Sequence, residues 1–148
     1  MTFSDPDIPE QKSGAINNIT FAVSGSCFLI SLFNTAFCTT DHCRLSIEAF
    51  LSGWLVLFIE PAGLTWLANP LLIVALVMIL KDKKSSFWLS LMASLLSLSF
   101  LLCNTIIENE AGGAREIIKL KPGYWLWVAS CISCFAGALI LRYRSSAE

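Results

Sequence analysis

The stretch PAGLTWLANPLLIVALVMIL (61–80) holds no charged residue, and the basic turn KDKK (81–84) follows it directly. The hydrocarbon core of a bilayer is about 30 Å thick and a helix rises about 1.5 Å per residue, so about 20 apolar residues span it. Three more uncharged stretches of at least that length flank this one, at 13–40, 85–107 and 122–141. Four such stretches in a chain of 148 residues predict an integral membrane protein with little soluble mass. The charge content agrees, at 14% of residues against about 25% in soluble domains.

No loop is long enough to fold as a separate domain, so the expected fold is all-α, a single polytopic bundle. Its four transmembrane helices fall at about 16–37, 62–80, 86–107 and 122–141. A polar tail (1–14) precedes them and a short tail (143–148) follows. The segment 45–60 is apolar but short, and Glu48 and Glu60 bound it. Read as an interfacial or re-entrant helix, it leaves four crossings with both termini on one side. Read as a crossing, it gives five, with the N-terminus on the other side. The first apolar segment does not read as a signal peptide, because its leader is acidic (Asp5, Asp7 and Glu10 against Lys12) rather than basic.

Lys and Arg next to membrane spans favour the cytoplasmic side. Lys81, Lys83 and Lys84 form one basic site, and Arg142 and Arg144 form another at the C-terminus. Two spans separate them, so both are expected in the cytoplasm. The loop 108–121 then lies outside, where Glu108, Glu110 and Glu116 offset its basic residues. Aromatic side chains fit this arrangement, since Trp and Tyr favour the interface. Trp88 and Tyr143 fall at the inner ends, and Trp66, Tyr124, Trp125 and Trp127 at the outer ends.

Signals for chemistry are sparse. A net charge of −1 argues against nucleic acid, which needs a basic patch. Neither a dinucleotide nor a P-loop fingerprint occurs, and no serine lies in GxSxG. The single histidine, His42, stands in the linker between Cys38 and Cys43 beside Asp41, a spacing that matches no closed zinc pattern. No catalytic residue, metal site or cofactor is expected. Cys38 and Cys43 form a disulfide if their linker faces an oxidising compartment, or two free thiols if it does not. Cys131 and Cys134 share one helix face inside an apolar span, as do small packing residues, and Cys27 and Cys103 read the same way.

Small residues form stripes that let helix backbones approach closely in lipid. One is Ser86, Ser90, Ala93 and Ser97; another is Ala129, Ser133 and Gly137, with Ser130, Cys134 and Ala138 one position on. Polar residues at membrane depth are costly and often functional. Asn34, Glu60, Asn69 and Asn104 all map to the outer half, as a candidate polar pocket. Asn69 precedes Pro70, so a helix break or kink is expected near Trp66–Pro70.

Three motifs then stand in order: WLANP (66–70), NEAGG (109–113) and GYWLWVAS (123–130). Over residues 45–141 this order resembles a group of functionally uncharacterised small four-span bacterial inner-membrane proteins. The resemblance implies a bacterial inner-membrane location and assigns no activity or site residue. The expected partners are the lipid bilayer and another membrane protein or a second copy of the chain. The function expected first is a non-enzymatic partner or accessory subunit acting through helix packing or lipid contact. A small-solute carrier or channel using the outer polar cluster is the alternative, and an immunity-type membrane protein a third.

Overall fold

A computed structural model describes residues 8–107 and 113–147. Helix α1 (Ile8–Leu32) leads into strands β1 (Thr35–Thr39) and β2 (Cys43–Leu45). Helix α2 (Ser46–Ser52) runs on as a 3-10 turn, Gly53–Val56. A rod follows in three parts: α3 (Pro61–Leu64), a 3-10 turn (Thr65–Leu67) and α4 (Ala68–Leu80). Helix α5 (Ser86–Ser99) ends in a 3-10 turn, Phe100–Leu102. Strands β3 (Thr105–Ile107) and β4 (Ala114–Leu120) precede the last helix, α6 (Pro122–Ala147).

The four long helical segments run antiparallel in sequence order. At one end of the α1–α6 pair Gly123 lies against the carbonyls of Asn34 and Thr35; towards the other, Gly137 lies against Thr20. Between these points the Ser24 hydroxyl donates to the Ser130 carbonyl at 2.8 Å. The amide of Asn17 donates to the Asp82 carboxylate at 2.6 Å, which ties the start of α1 to the end of α4. Ser94 donates to the Cys131 carbonyl at 3.1 Å, and Tyr124 to the Ser97 carbonyl at 3.0 Å, which sets α5 against α6. The turn 81–85 and the start of α1 therefore share one end of the bundle with the C-terminal half of α6. All four strands occupy the other end.

Each end has a local cause. Helix α4 stops in a Schellman motif: the Lys83 amide donates to the Met78 carbonyl at 3.0 Å and the Asp82 amide to Ile79 at 3.1 Å. Asp82 takes the left-handed position (φ 51°), which Asp tolerates better than most non-glycine residues. The rod begins with Pro61 at its first turn, where a fixed φ and a missing amide cost nothing. Near Pro70 the rod changes helix type instead of breaking. Pro70 cannot donate to the Trp66 carbonyl, and the Asn69 side-chain amide donates there at 3.0 Å.

The structure corrects the all-α expectation. A four-stranded antiparallel sheet, ordered β2-β1-β4-β3, closes the upper end of the bundle. It is assembled from the cysteine linker and from chain on both sides of residues 108–112. The third span, expected over 86–107, ends as a helix at Leu102, and 105–107 pair with β4. The first, expected over 16–37, ends at Leu32, and Ala36 and Phe37 belong to β1. The last helix runs on to Ala147, through most of the expected C-terminal tail, and α1 is already helical from Ile8. Among the described residues three helices are long and apolar enough to cross a membrane: Gly14–Leu32, Pro61–Leu80 and Pro122–Arg144. Two further apolar helices, Ser46–Val56 and Ser86–Leu102, are shorter. The segment 46–60 leaves the sheet end and returns to it.

Packing is inside-out relative to a soluble protein. Small side chains fill the interior: Ser24, Ser90, Ala93, Ser97, Ser130 and Cys134 are fully buried. Large aliphatics face outward on the same helices, among them Ile19, Leu29, Leu95 and Ile140. Leu72 and Ile79 are the largest fully buried side chains. Other buried serine hydroxyls return to their own helix, as Ser97 does to the Ser94 carbonyl at 2.9 Å and Ser31 to Phe28 at 2.7 Å.

The α5 stripe of Ser86, Ser90, Ala93 and Ser97 is buried throughout. Along α6, Gly137 is buried, Ser133 is partly buried and Ala129 is exposed; Ser130, Cys134 and Ala138 form the deeper row. Gly137→Leu and Ser97→Leu are therefore expected to destabilise the bundle by about 1–3 kcal/mol, the usual cost of overpacking. Ala129→Leu should leave it unchanged. Thermal unfolding of the three variants in one detergent measures this, and equal midpoints would place the stripes outside the helix contacts.

Candidate functional site

Beneath the sheet the helices enclose a cavity of about 400 Å³. Ligand sites generally measure about 300–1,000 Å³. Phe28 and Ser31 come from α1, Ala36 and Phe37 from β1, and Arg44 from β2. Helix α2 adds Ala49 and Phe50, the rod adds Thr65, Trp66 and Asn69, and α6 adds Tyr124 and Trp127. Exposed Leu55 and Ile59 also line it and mark its rim.

A chain of hydrogen bonds shapes the walls. The Trp66 indole donates to the Phe50 carbonyl at 2.8 Å. The Trp66 carbonyl accepts from Asn69, whose own carbonyl oxygen accepts from the Trp127 indole at 2.9 Å. Three elements, α2, the rod and α6, are thereby held at fixed separation. Aromatic contacts run beside this chain: Phe50 stands edge-on to Phe28, with ring centroids 5.9 Å apart, and Tyr124 lies 6.0 Å from Trp127. A substituent on Gly53 would strike the Trp66 ring, so the 3-10 turn after α2 must carry glycine there to approach.

Arg44 is the single charged residue among those lining the cavity. Its guanidinium donates to the Ser52 hydroxyl at 3.4 Å. The hydroxyl of Ser46, on the same wall, is buried without a hydrogen-bond partner. The cavity therefore has apolar walls, one permanent cation and a few hydroxyls.

The four residues expected as a polar pocket are not brought together. Only Asn69 lines the cavity. Asn34 ends α1: its side chain donates to the Ile30 carbonyl at 2.8 Å, and its carbonyl accepts from the Ser46 amide at 2.9 Å. Glu60 occupies the N-cap of α3. It lies close enough to Cys103 to help burial push that thiol's pKa up. Asn104 accepts from the Ile117 amide at 2.9 Å and borders a smaller depression of about 140 Å³. Asn is used here to end helices and satisfy backbone.

Cys38 and Cys43 face each other across the β1–β2 pair and are joined by a disulfide. The Thr39 amide donates to the His42 carbonyl at 2.9 Å, which leaves Thr40 and Asp41 at the hairpin tip. Asp41 pairs with Arg115 of β4 at 2.9 Å, a half-exposed contact that stabilises little. Among the described residues no group of three His, Cys, Asp or Glu side chains could hold a metal. The carboxylate pair Glu108 and Glu110, with most of the NEAGG motif, lies outside the described residues.

Arg44, Phe50, Trp66 and Trp127 are among the lining residues that sequence reasoning did not place in a site. Trp66 and Trp127 belong to the WLANP and GYWLWVAS motifs, and the signal was there, but both read as boundary anchors. No family model matches this chain, and neither a curated protein nor a solved structure matches it.

Replacing Asn69 tests the wall. Asn69→Leu keeps the volume, removes a donor from the Trp66 carbonyl and leaves the Trp127 indole without its acceptor. The expected loss is about 1–3 kcal/mol, the cost of unsatisfied buried groups. Trp127→Phe should cost less through the same bond. Denaturant unfolding of the single and double variants in detergent gives the coupling; additive losses would mean that the contact carries no energy.

Proposed function

We propose that the chain is a membrane protein of four crossings that acts without catalysis, through contact with lipid or with another membrane protein. The observation that carries this is the inside-out packing. Large aliphatic side chains cover the outside of the helices, while serine and alanine take many of the buried positions between them. Water would penalise that surface by about 25 cal/mol per Å² of apolar area, whereas lipid does not. Helix association in lipid relies on close packing of small residues.

The up-down-up-down course supports four crossings over five, with Ser86–Leu102 as a short crossing. At about 1.5 Å per residue its 17 residues reach about 25 Å, near the lower limit for a span. Segment 46–60 fits an interfacial helix. Trp54, Leu55, Phe58 and Ile59 are all exposed on it, and an amphipathic element of this kind lies in the headgroup boundary. The basic turn at Lys81, Lys83 and Lys84 is assigned to the cytoplasm together with the C-terminus. Arg142 at that end lies over the Phe87 ring, 4.3 Å from its centroid. Such cation–π anchoring suits an interface. The sequence resemblance favours a bacterial inner membrane. Contact is preferred over solute carriage because the polar residues a hydrophilic path would need do not converge.

Fusions test this directly. A reporter active in the cytoplasm should work after residue 83 and at the C-terminus, and one active in the periplasm should fail at both. In a variant keeping only Cys38 and Cys43, a membrane-impermeant maleimide should label intact spheroplasts after mild reduction and not before. Periplasmic activity at the C-terminus, or no labelling until the membrane is opened, would reject the topology.

A further inference from the structure

From the cavity we infer a binding site for a single-chain amphiphile with an anionic headgroup, its tail among the aromatic walls and its headgroup at Arg44. The inference deepens the contact reading above and names the class of lipid. Three observations carry it. The cavity is mostly apolar, and about 400 Å³ has room for roughly a dozen groups the size of a water or a methylene. That is enough for most of one chain. Its charge is also one-sided. Arg44, Ser46 and Ser52 sit together on the β2–α2 wall. The polar groups on the other walls, Ser31, Thr65, Asn69 and Tyr124, are neutral and already donate to backbone carbonyls, beside Phe28, Trp66 and Trp127. Arg44 is the only charge on the lining, and a guanidinium presents planar N–H donors that match carboxylate or phosphate oxygens.

The rim makes entry from lipid possible. Leu55 and Ile59 line the cavity and are 58% and 66% exposed, on the face that carries Trp54 and Phe58. A tail can pass between them from the bilayer while its headgroup stays at the level of β2.

The probe is a fatty acid brominated in its tail, which quenches tryptophan on contact. Trp54, Trp88 and Trp125 are exposed, so they are changed to Phe, leaving Trp66 and Trp127 as reporters on the wall. Titration into nanodiscs of zwitterionic lipid carrying the protein should quench saturably at low mole fraction. Arg44→Gln should weaken the carboxylate by roughly 10- to 100-fold, the range for one hydrogen bond to a charged group. Arg44→Lys should lose part of the affinity yet keep the preference for anionic probes, since an ammonium retains the charge without the planar fork. Brominated lysophosphatidate should behave as the fatty acid does, whereas brominated lysophosphatidylcholine should bind weakly and ignore Arg44→Gln. If only one of the two anionic probes binds, that one names the headgroup. Ala49→Phe, which fills the cavity from α2, should abolish saturation in every case.

Quenching that rises linearly with mole fraction, and equally in all variants, overturns the site. Saturable quenching that ignores both headgroup and Arg44 overturns the anionic assignment. The same titrations in detergent solution read the cavity whatever the topology. Failure of the membrane reading would appear separately, as protein that does not stay with the nanodisc.

Discussion

Pro70 has no amide to give to the Trp66 carbonyl, and the upper half of the molecule is arranged around the answer to that deficit. Asn69 turns its side chain back to the carbonyl, and the rod passes through a 3-10 turn at Thr65–Leu67. Asn69 is thereby fixed with its oxygen toward α6, where the Trp127 indole meets it. Trp66, on the same turn, reaches α2 through Phe50. One local defect in helix bonding thus becomes the joint between three elements. Unpaired polar groups are expensive in apolar surroundings, so the joint has few alternative arrangements.

The sheet depends on the same geometry from above. Phe37 is almost wholly buried between the helix ends, with its ring 5.7 Å from that of Phe100, and Phe100 in turn stacks near Tyr124 at 5.6 Å. The outer strands, β2 and β3, have three residues each, which keeps open edges short. The disulfide closes a loop of only a few residues, so its effect on overall stability belongs near the low end of the ~0–5 kcal/mol range. Its structural effect is to hold the β1–β2 hairpin in register and, through it, Arg44 over the cavity.

The helical part of this architecture was legible in the sequence because charge avoidance over some twenty residues is a strong, one-dimensional signal. The ends of the helices were not. Thr105, Ile106 and Ile107 are as apolar as the helix before them, and periodicity cannot separate three such residues from a helical turn. Chain 114–120, AREIIKL, read as a loop because it carries three charges. Its paired Ile117 and Ile118, between Gly113 and Pro122, were the available strand signal. In the site, Asn69 was legible as a polar group next to a proline. Its partners were not, since a tryptophan at a helix end reads the same whether its ring meets headgroups or another helix.

Helix length and sheet formation are linked. α5 and its 3-10 turn end at Leu102, while α6 already begins at Pro122, so the chain between must satisfy its backbone without helix. Where water is scarce, that leaves pairing with another strand. β4 meets β3 on one side and β1 on the other, and β1 is the chain leaving α1 at the same level. The sheet therefore forms where two helices run out together. The cavity lies where this sheet meets the helices, with β1, β2 and β3 all contributing to its lining beside several aromatic rings. Arg44 lies at its wall because β2 must turn directly into α2 there, with the Glu48 carboxylate accepting from the Leu45 amide to start the helix. On the proposed reading, a charge so placed by local chain geometry, beside an apolar space, is what would set a preference among lipids.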